Sequence, residues 1–237
     1  MTRPDAHTLE APLVRVPLFA ALPPDACLAL AARMRRRTLP AGAAVIYRGD
    51  MGGTLYVVLS GCVKVHTATE NGGEVLLTIK GPGDFFGEMS LLDGLPRAAD
   101  VSTLEPTTLA LLDGVGLRDM MTARPALAWE MMRTLVGLLR AQNAQVELLM
   151  TQDVAGRVAG LLLTLAQKRG TLLDDGKHIR IDVALTQADI AASVGATRER
   201  VSRALSGFRA QHAIARDKAS GHWTVLNPAI LDKRAQS

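Results

Sequence analysis

Residues 86–101 of this 237-residue chain contain the groups needed to hold a small anion beside a hydroxyl. They read Phe86-Gly87-Glu88-Met89-Ser90-Leu91-Leu92-Asp93-Gly94-Leu95-Pro96-Arg97-Ala98-Ala99-Asp100-Val101. A strand that ends at Gly87 and a short helical turn over 89–92, beginning at Met89, would present backbone N–H groups, which favour an anion. Arg97 follows with a guanidinium that forks onto two oxygens of a phosphate. Glu88 supplies a carboxylate acceptor suited to a ribose hydroxyl. An anion site and a hydroxyl site this close match a ribose cyclic phosphate. The same two residues would also serve as an ion pair that pins a loop, although a buried pair of that kind returns little for its desolvation.

A second cluster lies at 186–208, TQADIAASVGATRERVSRALSGF. Thr186 is placed to cap a helix, with Gln187 opening it and Asp189 at its third position. Ile190, Ala191 and Val194 form one inner face. Gly195 permits the positive φ of a tight turn. Thr197 caps a second helix whose inner face is Val201, Ala204 and Leu205. This is helix-turn-helix spacing. The outer face of the second helix carries Arg198, Glu199, Arg200, Ser202 and Arg203. Arginine bonds guanine O6 and N7, and a glutamate accepts from cytosine N4. The alternative is a solvated charged face on an ordinary helical pair.

The elements that must position these clusters follow from the pattern around them. Residues 17–34 read as a short helical opening after Pro23 and Pro24. From Arg36 to Asp113, β-rich runs at 45–47, 55–59, 62–66, 75–79, 84–86, 99–103 and 108–112 alternate with glycine turns, including Asn71-Gly72-Gly73. That is the signature of an antiparallel barrel or jelly roll. From Pro125 to Thr151 there is no further proline. Met131, Leu135, Leu138/Leu139, Gln142, Val146 and Leu149 fall at gaps of three and four, a heptad-like seam on a helix of roughly 40 Å. The two readings are a helix packed on its own domain and a two-stranded coiled coil, the second favoured by the helix's length. A hinge is expected at 149–153, then helix to Lys168, and a small hairpin over 213–226. The fold class is therefore α+β: an N-terminal β-roll over 1–124, a dimerisation helix and hinge over 125–152, and a winged helix-turn-helix over 153–237.

The composition, 48% hydrophobic and 21% charged, is that of a folded globular protein. No apolar run approaches the roughly 18 residues that span a bilayer, and residues 1–12 do not read as a secretory signal. Cys27 and Cys62 sit in apolar pattern, as buried thiols rather than a disulfide or metal site. The cytoplasm is the expected compartment. Residues 151–237 hold 13 Lys/Arg against 8 Asp/Glu, whereas residues 1–150 hold 14 against 15. The basic end is the one expected to meet phosphate.

The 86–101 segment resembles the phosphate-binding cassette of cyclic-nucleotide-binding domains, and Val45-Ile46-Tyr47-Arg48-Gly49-Asp50-Met51-Gly52-Gly53 through Gly61 resembles the glycine-turn signature of the same domain. The helix pair resembles that of the bacterial cAMP receptor proteins and their relatives in the CRP/FNR superfamily. The resemblance covers about 15–228. It implies cAMP as allosteric effector, with Glu88 on the ribose 2′-hydroxyl, Arg97 on the cyclic phosphate, the amides of Gly87 and Ala98 assisting, and Val65 and Thr78 beside the nucleotide. Gln142 and Asn143, one from each subunit of a homodimer, would reach the adenine; these two would otherwise fix helix register. Arg198, Glu199 and Arg203 match the family's recognition helix and imply a TGTGA-type half-site in double-stranded DNA. Lys218 and His222 of the wing would contact phosphate. RNA polymerase is a partner by resemblance only.

One residue departs from the bacterial pattern. Those proteins usually have Ser or Thr after the arginine, and this chain has Ala98, which removes a bond to a charged group worth about 1.5–3 kcal/mol. Pro96-Arg97-Ala98-Ala99 is instead similar to the regulatory subunits of cAMP-dependent protein kinase, where Ala at this place goes with cAMP. Ala98 motivates the runner-up, a ligand-independent regulator of the same fold. A redox or haem sensor is disfavoured by the lack of an N-terminal cysteine cluster, with His66 a lone strand histidine. A kinase-regulatory subunit would need a second nucleotide domain or a pseudosubstrate segment. An enzyme is not expected, since no metal cluster and no Ser/His/Asp set is found.

Overall fold

The computed structural model describes Leu13, Val16, Phe19, residues 22–69 and residues 72–236. The stretch 1–12, most of 14–21 and Asn71, expected from the sequence in a glycine turn, lie outside the described residues. The chain divides into two compact units, Met1–Thr67 with Leu77–Ala141, and Gln142–Ser237 with Ala68–Leu76.

Two four-stranded sheets lie mostly within the first unit. Strands β1 (Arg35–Leu39), β3 (Thr54–Ser60), β6 (Phe85–Phe86) and β8 (Thr107–Asp113) form one, in the order β1-β8-β3-β6. Strands β2 (Ala44–Ile46), β4 (Val63–Ala68), β5 (Glu74–Lys80) and β7 (Asp100–Thr103) form the other, in the order β2-β7-β4-β5. Side chains alternate across each strand, so the first sheet has two apolar faces. One face sends Val58, Phe86 and Leu109 into a core shared with Ile46, Val63 and Val101 of the second sheet. The other sends Leu55, Val57, Phe85, Ala110 and Leu112 against helices α1 (Pro24–Arg33) and α3 (Gly114–Ala123) and the first turns of α4 (Pro125–Thr151). This is the expected roll. The expected strands are present, and β1 joins them. The run Arg35-Arg36-Arg37 shows no strand pattern, because β1 is an exposed edge whose place is set by backbone pairing with β8. Both cysteines are buried and form no disulfide.

Helix α4 runs 27 residues, as the proline-free stretch predicts. Its seam needs correction. Met131 is buried and Leu135 half-buried in the unit's own core, alongside Leu127. The outward stripe is instead Trp129, Met132, Val136, Leu139, Val146 and Met150, all exposed. Asn143 fills the one gap in its three-four spacing, and every residue from 141 to 150 is exposed. The helix thus uses two faces, one for its own domain and one unpartnered. Periodicity alone merged them, because apolar residues lie on both.

In the second unit the chain breaks at Gln152 and Asp153. The Asp153 side chain accepts from the Gly156 N–H at 2.9 Å and starts α5 (Val154–Arg169). Helices α6 (Gln187–Val194) and α7 (Arg198–Ala210) follow. The hairpin of β11 (Ile214–Arg216) and β12 (Trp223–Val225) is joined by β9 (Gly170–Leu172) and β10 (Ile179–Ile181) in a sheet ordered β11-β12-β10-β9. Strands β9 and β10, three residues each, and a final helix α8 (Pro228–Ala235) add to the expected elements.

Candidate nucleotide site and nucleic-acid interface

The two glycine-bearing motifs of the first unit meet at Arg97. Its backbone N–H donates to the Asp50 carbonyl at 2.8 Å, and its carbonyl accepts from Gly49 at 2.9 Å. Its side chain is 7% exposed. Nη1 donates to the Gly87 carbonyl and to Ser90 Oγ, each at 2.8 Å, and Nη2 donates to the Thr54 carbonyl at 3.0 Å. The Tyr56 ring, stacked on Phe86, lies 5.7 Å from the guanidinium carbon. Three of the five guanidinium N–H groups are thereby engaged, which leaves two.

Space here is tight. A Cβ on Gly52 would stand 2.2 Å from Ser90 Oγ and 2.6 Å from Arg97 Nε. Gly87, at φ +84°, turns the chain from β6 into α2 (Glu88–Asp93), and a Cβ there would meet Arg97 Nη1 at 2.7 Å. The spacing of the sequence identified Arg97 and Gly87. It did not identify Ser90, which stands seven residues before Arg97 on α2, nor Thr54 and the steric role of Gly52, which come from β3 and the loop before it, distant in sequence.

Among the described residues, Arg97 has no carboxylate partner. Glu88 is half-buried beside Gly87 and is not paired with it. The loop-pinning ion pair is therefore not formed. A cation this buried is costly without an opposite charge, so the site has the electrostatic character of an anion receptor. Met89 and Ala98 are exposed and Ala99 half-buried. Val65 packs against the roll core, and Thr78 is exposed on β5. Gln142 and Asn143 are exposed on α4. A hollow of about 420 Å³ lies on the other side of α2, lined by Leu91, Leu92, Gly114, Leu117, Arg118, Met121 and Thr122, and holds none of the expected ligand residues.

In the second unit the helix pair is capped as expected. Asp189 N–H donates to Thr186 Oγ1 at 3.1 Å and Thr186 N–H to Asp189 Oδ2 at 2.9 Å, a reciprocal box. Gly195 has φ +59°. Arg200 N–H reaches Thr197 Oγ1 at 3.4 Å. Val201, Leu205 and Phe208 turn inward, whereas Ala204 is only half-buried. Arg198, Glu199, Arg200 and Arg203 are exposed, Ser202 and Gln187 half-buried, Thr186 and Thr197 exposed. No ion pair engages Arg198, Arg200 or Arg203 among the described residues. Hydrogen bonds from its own backbone amide and from the Thr197 hydroxyl, with Arg198 and Arg203 nearby, hold the Glu199 carboxyl below its usual range. It therefore stays an ionised acceptor. Lys218 is exposed on the turn between β11 and β12, and His222 is half-buried. Trp223 anchors the wing by donating to the Leu185 carbonyl at 3.0 Å.

These two sites define a class. Residues 36–124 match the family model of the cyclic nucleotide-binding domain, and residues 156–234 match that of the Crp-like helix-turn-helix domain. The chain is similar to the CRP-like cAMP-activated global transcriptional regulator of Mycobacterium tuberculosis, 38% identical over 83% of this chain and 87% of that protein. It is also similar to the cyclic AMP receptor protein of Thermus thermophilus, 34% identical over 92% and 96%. A solved CRP/FNR-family transcriptional regulator from Thermus thermophilus has a TM-score of 0.71 at 25% identity, covering 86% of this chain and 99% of that one. The chain belongs to the CRP/FNR superfamily, as a CRP-like, DNA-binding transcriptional regulator with a cyclic-nucleotide-binding domain. That family is one of regulators rather than enzymes. Among the described residues no helix is long and apolar enough to cross a membrane.

Proposed function

We propose that this protein is a homodimeric regulator that binds cAMP through Arg97 and Glu88 and, so loaded, engages TGTGA-type palindromes in the cytoplasm. The observation that carries the reading is Arg97, nine-tenths buried, whose guanidinium has neutral acceptors around it and no carboxylate partner among the described residues. Such a group favours a compact anion, and the Glu88 carboxylate beside it suits a ribose hydroxyl. Gly87, Met89, Ala98 and Ala99 bring backbone to the same place, with Val65 and Thr78 as further contacts. The relatives named for cAMP support that nucleotide.

The homodimer reading rests on the exposed stripe of α4, from Trp129 through Met150, which has strict three-four spacing. Asn143 is the polar residue within it, the kind that fixes register and partner, and Gln142 adjoins it. Both remain the proposed contacts to the base. The functional divisions follow as 1–124, 125–152 and 153–237. Arg198, Glu199 and Arg203 read base edges. Thr186, Gln187, Thr197, Arg200, Ser202 and Lys218 contact the backbone or flank those residues. Two recognition helices about 34 Å apart span one turn of DNA. Contact with RNA polymerase is proposed from the family alone.

A nucleotide shifts this equilibrium only by its differential affinity for two states, about 1–3 kcal/mol. Fluorescence anisotropy on a TGTGA-palindrome duplex is therefore expected to show tightening by about 5–150-fold with cAMP. Arg97→Leu should abolish that effect and leave weak, salt-sensitive binding. Glu88→Ala, at a less buried position, gives a second test. Absence of heat in a calorimetric titration with cAMP, together with unchanged DNA affinity, would favour the ligand-independent reading that Ala98 motivates.

A further inference from the structure

Helix α8 lies beyond the wing and supplies none of the proposed DNA contacts. It packs on α5, and Leu231 is fully buried. Its end reaches the two residues that separate α4 from α5. Gln152 Nε2 donates to the Ala235 carbonyl, and Arg234 Nη2 donates to the Asp153 carboxylate. A Cβ on Gly156 would stand 3.2 Å from the Arg234 carbonyl oxygen, so the two segments are in close contact. On the other side of the break, Arg157 Nη1 donates to the Leu149 carbonyl at 3.0 Å. A Cβ on Gly195, in the turn between α6 and α7, would lie 3.6 Å from Leu149 Cδ2. The end of the long helix is thus tied to α5, to the helix-turn-helix and to the C-terminal helix.

We propose that α8 is a latch on this hinge: Arg234 and the Ala235 carbonyl, acting on Asp153 and Gln152, position α5 as it leaves α4. In that position they set how strongly nucleotide occupancy is passed to the reading helices. The inference rests on the proposed cAMP response. Its physical basis is that a ligand's differential affinity reaches a distant site only through an element with discrete arrangements. A junction held by its backbone alone would rotate freely. If α8 only covered the apolar side of α5, its polar end would affect stability and nothing else.

The test uses the full chain with Arg234→Ala and Arg234→Lys. DNA affinity is measured by anisotropy with and without cAMP, and hydrogen–deuterium exchange is followed in the ligand-free protein at the amides of Gln152, Gly156 and Arg157. Arg234→Ala is expected to lower the cAMP-to-apo affinity ratio by about two- to thirtyfold and to speed exchange at those amides, with Arg234→Lys restoring part of both. A lowered melting temperature with the ratio and the exchange unchanged would overturn the latch. A wild-type protein without any cAMP effect would instead defeat the functional reading, and the exchange data would still decide the latch. If Arg234→Ala does not fold, Gln152→Ala removes one tie, leaves Leu231 in place and is read the same way.

Discussion

Arg97 in the roll is 7% exposed and spends three N–H groups on fixed acceptors from β3, Gly87 and Ser90. Arg198, Arg200 and Arg203 on α7 are exposed and in no ion pair among the described residues. The first is held by the protein's own acceptors, so a small anion bound there, as proposed, would gain from preorganisation and would have to fit the two N–H groups that remain. The others are exposed and, in the proposed reading, would meet a long polyanion, where affinity comes from many phosphates and released counterions. Residue type is the same in both regions; burial is what differs. Glu88 and Glu199 repeat the contrast. Glu88 sits half-buried and unpaired with its arginine, whereas Glu199 is kept ionised at the surface by its own amide, Thr197 and two arginines.

Substitutions that orphan the buried site should test this comparison most severely. Arg97→Leu leaves the carbonyls of Gly87 and Thr54 without their donor, and is expected to cost about 2–4 kcal/mol and to lower the melting temperature by roughly 5–15 °C. A calorimetric scan equal to wild type would show that the arginine is not held as described. Next comes Gly52→Ala, whose Cβ strikes Ser90 Oγ and Arg97 Nε; it should cost about 1–3 kcal/mol. Gly53→Ala enters open space and should change stability by less than about 0.5 kcal/mol. Equal melting temperatures for the two variants would refute the packing around Arg97. On the exposed side, Arg203→Ala should leave thermal unfolding unchanged and weaken specific DNA binding by about 1–3 kcal/mol, read by anisotropy against a scrambled duplex.

The smallest effect concerns pH. The Gly156 amide, with Arg234 assisting, lowers the Asp153 pKa in the folded protein. A lowered folded-state pKa contributes stability that is complete above the unfolded value and lost as pH falls through the folded one. The melting difference between wild type and Asp153→Asn should thus stay constant from neutral pH to about pH 5 and shrink below about pH 4. A difference that instead grew on acidification would contradict the assigned hydrogen bonds.

Much of the site was legible in advance because its signals are local. Thr186 with Asp189, Gly195 at positive φ, and Thr197 are caps and turns whose physics spans three or four residues. Gly87 and Arg97 stand ten apart on one strand-helix-loop segment. The contacts made by other segments were not legible. Thr54 and Gly52 act on Arg97 from β3 and the loop before it, Thr54 at a separation of 43 positions, and no spacing rule encodes that. Two positions of the expected seam of α4, Met131 and Leu135, belong to the roll's own core for a related reason. The helix's apolar residues satisfy two faces, and only the roll's occupation of Leu127 and Met131 reveals which stripe is left outward.

What the chain's own order of residues determined was periodicity, punctuation and chemical type: period-two runs between glycines, one long proline-free helix, a capped pair with basic residues outward, and an arginine ten residues after a glycine turn. Hydrogen bonds within a few residues and the alternation of side chains make these properties of the local chain. What only the tertiary structure decided was which charges lose their water. Burial of Arg97 without a carboxylate among the described residues, exposure of the arginines on α7 and the closing of α8 onto Asp153 and Gln152 depend on segments far apart in sequence arriving at one place. Desolvation is a property of that place rather than of any residue.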